Sequence, residues 1–87
     1  MSTEVWNVTR CHIDDKPRNT WNVPPANRPA SLPVAFRLYD DDGNLYYSGR
    51  ATCEHAVLRA LDVYSDSAGT TTAEIQNAAT GKWDQLN

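Results

Sequence analysis

The chain has 87 residues, 40% of them hydrophobic, and its 8 Lys and Arg against 11 Asp and Glu leave a net charge of -3. That length admits a single domain, 1–87, with one modest core, and the composition lies outside the low-hydrophobicity, high-charge regime of disordered chains. The negative balance argues against a general nucleic-acid binder, which usually carries a cationic surplus to displace phosphate counterions.

Met1 to Arg10 contains Glu4 and no apolar run, and no stretch of the chain has the length and hydropathy of a membrane span. The expectation is a soluble, cytoplasmic protein with no membrane partner. Val5 to Ile13 is rich in β-branched and aromatic residues and free of Gly and Pro, which predicts a first strand. Its alternation is imperfect, so the buried face stays open between the Val5, Asn7, Thr9, Cys11, Ile13 set and the Trp6, Val8, Arg10, His12 set.

All five prolines then crowd into residues 17–33. This predicts a long Pro-rich loop over 14–32, pinned by Trp21, Val23 and Leu32, that serves either as a binding element or as a connector. Val34 to Tyr39 and Leu45 to Gly49 flank Asp40-Asp41-Asp42-Gly43-Asn44 and predict a β-hairpin. Thr52 is the expected helix N-cap, with Cys53 to Tyr64 helical, Val57, Leu61 and Tyr64 as its apolar stripe, and Gly69 as its stop. Thr70 to Asn77 and Lys82 to Leu86 close the chain as two short strands around Ala79-Thr80-Gly81. The order predicts an α+β fold, an antiparallel sheet of four or five strands with one helix packed on a face.

Three chemistries lack residues that they require. The Asp40 to Gly43 run lacks the first and last ligands of a calcium loop. Cys11-His12 and Cys53-x-His55 make a formal zinc set, but adjacent strand residues point to opposite faces. Cys53 near a helix start is the only candidate nucleophile, and no base or oxyanion donor accompanies it. No phosphate-binding or nucleophile-elbow motif occurs, so no cofactor, no metal and no enzymatic activity are expected. Two cysteines far apart in sequence, Cys11 and Cys53, suggest free thiols rather than a disulfide framework.

Charge divides along the chain. Residues 1–37 hold five cations and three carboxylates, +2, and residues 38–87 hold three cations and eight carboxylates, -5. The acidic hairpin tip, Asp40, Asp41 and Asp42, together with Tyr39, Tyr46 and Tyr47, therefore forms a candidate contact for a basic protein surface. Arg18, Trp21 and Arg28 of the loop, with Lys16, form the one region suited to nucleic acid.

Phe36-Arg37-Leu38-Tyr39-Asp40-Asp41-Asp42-Gly43-Asn44-Leu45-Tyr46-Tyr47-Ser48-Gly49-Arg50, with Ala79-Thr80-Gly81-Lys82-Trp83, resembles short uncharacterised proteins carried by phages, plasmids and other mobile elements. The resemblance implies a small accessory protein of the kind that binds and blocks a host protein, as anti-CRISPR proteins do. The functional expectation is thus an acidic protein-binding module, an inhibitor of a host nucleic-acid-processing or defence protein, acting as a monomer or small homo-oligomer. The alternative is a nucleic-acid-binding accessory factor that uses the basic loop.

Overall fold

The computed structural model describes residues 4–86; Met1 to Thr3, the first residues of the Met1–Arg10 stretch that has no apolar run, and Asn87 lie outside the described residues. The elements are β1 (Trp6–Cys11), β2 (Lys16–Trp21), β3 (Val34–Tyr39), β4 (Leu45–Ala51), α1 (Glu54–Ala68), β5 (Thr72–Gln76) and β6 (Trp83–Gln85), with one 3-10 turn at Pro25–Asn27. The fold is α+β. The strands form one open sheet in the order β2-β1-β4-β3-β5-β6, every pair antiparallel. No helix among the described residues is long and apolar enough to cross a membrane.

The expected four or five strands become six because part of the Pro-rich span is a strand. After a turn in which Asp15 adopts φ 53°, Lys16–Trp21 returns along β1. Proline is tolerated there because β2 is an edge: Pro17 has no N–H to give, and one side of an edge strand needs none. Five of the six β2 residues are exposed, so no alternation of apolar residues marked it in the sequence.

The ambiguity of the first strand also has a structural cause. Val8 pairs with Gly49 and Arg10 pairs with Ser48, which leaves Thr9 as the extra residue of a β-bulge. The bulge reverses the alternation, so Trp6, Val8 and Cys11 all face the core. Opposite the bulge, β1 and β4 come very close. A Cβ on Gly49 would lie 2.1 Å from the carbonyl oxygen of Asn7, so only glycine fits.

Helix α1 crosses one face of the sheet. It buries Ala56, Val57, Ala60 and Leu61 against Val8, Phe36, Leu38, Ala51 and Ala73, while Tyr64 stacks on Tyr47 with ring centroids 4.4 Å apart. Its start is one residue later than expected. The Thr52 hydroxyl is taken by the backbone of Val5, as acceptor at 3.1 Å and donor at 3.4 Å, and Cys53 becomes the N-cap without a side-chain capping bond. The stop is as expected: Gly69, at φ 81°, directs its N–H to Ser65 and Tyr64. Cys11 and Cys53 are free thiols, one buried and one half-buried.

Candidate functional site

Helix α1 covers one face of the six-stranded sheet, and among the described residues no second α-helix or sheet packs on the other. Cross-strand register defines what that second face presents. One row runs across all six strands: Pro17, Arg10, Ser48, Arg37, Glu74, Gln85. A second runs Trp21, Asn7, Arg50, Ala35, and a third pair, Gln76 and Trp83, lies at the β6 edge. Tyr39, beside Thr72, completes the face at the end nearest the hairpin tip.

Charge is divided unevenly between the two sides, with Asp15 accompanying Arg10 on the open face. Arg10, Arg37 and Arg50 lie on the open face, Arg28 folds over its corner, and Glu74 is the one carboxylate in the rows. Many of the remaining carboxylates lie elsewhere, with Glu54, Asp62 and Asp66 on exposed positions of α1 and Asp40, Asp41 and Asp42 at the tip. The division into a positive first segment and a negative remainder therefore becomes, in three dimensions, a cationic sheet face on an acidic molecule. Arg37 and Arg50 come from the segments adjoining and inside the acidic part, and alternation along the strands brings them beside Arg10.

Two of these arginines stack on tryptophans. The Arg37 guanidinium lies 3.9 Å from the centre of the Trp83 ring, and that of Arg28 lies 4.9 Å from Trp21. Each contact places a planar cation over the face of an indole. The Arg50 side chain donates to the carbonyls of Leu32 (2.7 Å) and Pro33 (3.4 Å), which fastens the 22–33 segment to the sheet. Arg10 pairs with Asp15 at 2.5 Å. His12 shares a hydrogen bond of 2.9 Å with the Ser48 hydroxyl, and burial, reinforced by Arg10, holds its pKa below the ordinary value. Burial, then Glu74, pushes the Tyr39 phenol above its ordinary range, against an opposing effect of Arg37.

The residues singled out from the sequence fall into separate groups, one at the β2 corner and one at the hairpin tip. Trp21 and Arg28 meet at the β2 corner. Arg18 does not join them: it pairs with Asp14 at 3.4 Å and lies towards Cys11 and Tyr47, which belong to the helix side. Tyr47, expected at the contact surface, is only 7% exposed and packs under α1 against Tyr64. Tyr46 is half-buried, and the Asp40 carboxylate pushes its phenol pKa up.

Asp40 is a structural residue of the turn. Its carboxylate accepts from the Asp42 and Asn44 backbone N–H groups at 3.0 and 2.8 Å and from the Asn44 side chain at 3.0 Å. These bonds, the Asn44 side chain first, lower its pKa. Asp41 and Asp42 remain exposed. An open cleft of about 260 Å³ at the tip is lined by Tyr39, Asp40, Asp41, Gly43, Thr72 and Glu74.

Arg10, Arg37, Arg50 and Trp83 were missed as site residues. A signal was present for two of them: Arg37 and Arg50 sit at the outward positions of strands whose inward positions are apolar. Among the described residues no group of three or more His, Cys, Asp or Glu is placed to hold a metal ion. Comparison with protein-family models, curated proteins and solved structures finds no match, so a functional reading rests on the residues and their geometry.

Proposed function

We propose that the chain is a binding module, not an enzyme, and that the open sheet face is its working surface, with single-stranded nucleic acid as ligand. The observation that carries this reading is the concentration of Arg10, Arg28, Arg37 and Arg50, two of them stacked on Trp21 and Trp83, on a face with one carboxylate in its rows. Arginines neutralise phosphates, while exposed aromatic rings and guanidinium planes offer flat surfaces to unstacked bases. The overall charge of -3 does not oppose this, because binding responds to the local field of the surface in contact.

Anisotropy titration of labelled single strands tests the reading. If three arginines meet phosphates, the log–log salt slope is about -2, so a fourfold rise in salt weakens binding by roughly fifteenfold. Arg37→Glu should abolish most of the affinity. Absence of binding at low salt, or affinity unchanged in Arg37→Glu, overturns the proposal.

A second reading is supported by the cleft at the hairpin tip. Its Asp40, Asp41 and Glu74 carboxylates suit a lysine or arginine side chain of a basic host protein, as an inhibitor carried by a mobile element would need. Asp41→Lys with Asp42→Lys then slows association and inverts its salt dependence, and leaves oligonucleotide binding by the sheet face in place. Unchanged kinetics with a captured partner removes the tip from that role.

A further inference from the structure

Asn7 sits between Trp21 and Arg50 in the second row of the open face. Its side-chain Oδ1 is shielded from solvent, and among the described residues it is the one buried side-chain nitrogen or oxygen without a hydrogen-bond partner. An acceptor buried without a donor destabilises the fold that contains it. Violations of this kind concentrate at functional sites, where a ligand supplies what the fold lacks.

The groups around Asn7 are built unequally. The Trp21 ring is held by its Nε1–H, which donates to Asn19 Oδ1 at 2.7 Å, and by its strand. Asn22, next along the chain, ties this corner to β1 through its side chain, accepting from the Trp6 N–H at 2.8 Å and donating to the Glu4 carbonyl at 2.8 Å. Arg50 is anchored by Leu32 and Pro33. Arg28, by contrast, comes from the irregular segment after the 3-10 turn and is held by a 3.3 Å bond to the Val23 carbonyl and by its stack on the indole. The indole is tethered by its strand and by Asn19, whereas the cation over it has one 3.3 Å side-chain bond and the ring contact. A guanidinium on an indole occupies the plane in which a nucleobase would stack.

We infer that the Trp21, Asn7 and Arg50 row is a base-binding subsite, in which a base bearing an exocyclic amino group displaces Arg28, stacks on Trp21 and donates to Asn7 Oδ1. Released Arg28, with Arg50, then faces the strand's phosphates. Cytosine, adenine and guanine carry such a donor at the base edge. Thymine carries none, and its one ring N–H is flanked by carbonyl oxygens that repel the Asn7 oxygen. The inference rests on the nucleic-acid reading above and adds to it a base preference and the residue that reads the base.

The test compares a short oligodeoxycytidine with an oligodeoxythymidine of the same length on the intact chain and on Asn7→Leu, with thermal unfolding of both proteins. The intact chain should bind oligodeoxycytidine about tenfold more tightly, the worth of one buried acceptor gaining its donor. Asn7→Leu should bind both strands equally and unfold at a higher temperature, because the unpaired oxygen is gone. That pairing of lost preference with gained stability is not what a purely structural Asn7 would produce. Equal affinity of the intact chain for the two strands overturns this inference alone, and needs no variant to fold. A preference that survives in Asn7→Leu overturns it too. Binding to neither strand overturns the nucleic-acid reading and the subsite together.

Discussion

Arg37 and Trp83 touch across an intervening strand: the guanidinium of β3 reaches over β5 and lies 3.9 Å from the centre of the β6 indole. The contact joins the middle of the sheet to a three-residue edge strand, adding to its ladder with β5. It also keeps a cation flat on the open face.

Removing either partner should therefore affect both stability and binding. Trp83→Ala is expected to lose about 1–2 kcal/mol from the stack and its buried area. Hydrogen exchange should show the loss first in β5 and β6, since local opening follows the weakest contacts. Arg37→Lys retains the charge and loses the planar stack, and should recover part of the oligonucleotide affinity that Arg37→Glu loses.

The bulge makes Gly49 irreplaceable. A methyl group there meets the Asn7 carbonyl oxygen at 2.1 Å, and the obstacle is backbone that cannot rotate away. Gly49→Ala should cost more than about 2 kcal/mol in denaturant unfolding, whereas Ser48→Ala one residue earlier should cost under about 1 kcal/mol.

Acid should loosen the attachment of the chain's start to the helix. The Glu4 carboxylate accepts from Arg59 Nε at 2.5 Å and is 3.1 Å from His55 Nδ1; Arg59 first, then His55, hold its pKa below the ordinary 4.5. A carboxylate with a depressed pKa in the fold stabilises above the unfolded value and loses that contribution as pH falls through the folded one. Glu4→Gln should thus melt lower than the parent at neutral pH, with the gap closing as the pH drops below 4.5. Thermal scans across that window check it; a gap that stays constant in acid would dismiss the ion-pair account.

Two adjacent tyrosines should behave oppositely. Tyr47 lies under α1 against Tyr64, and Tyr47→Ala should cost about 3–4 kcal/mol through the cavity and the lost aromatic pair. Tyr46 is half-buried, and Tyr46→Ala should cost clearly less. Equal losses in urea titrations would contradict the difference in burial.

Local chemistry determined much of this protein. The hairpin of β3 and β4, the helix ended by Gly69, and the two closing strands were legible because turn residues, a 3.6-residue stripe and β-branched runs act over a few neighbours. The Val57, Leu61 and Tyr64 stripe and the inward Phe36 and Leu38 follow from the same periodicities. Three features depended on partners distant in sequence. Lys16–Trp21 is a strand because β1 offers it an edge, the parity of β1 turns on a bulge set by Gly49 of β4, and Tyr47 is inward because α1 covers it. The working surface belongs to this second group. Arg10, Arg37, Arg50 and Trp83 come from four strands, and only cross-strand register assembles them on one face, turning a chain of net charge -3 into a molecule with a cationic side. Net charge is a sum over composition, and the field that a ligand meets is set by where folding puts each charge.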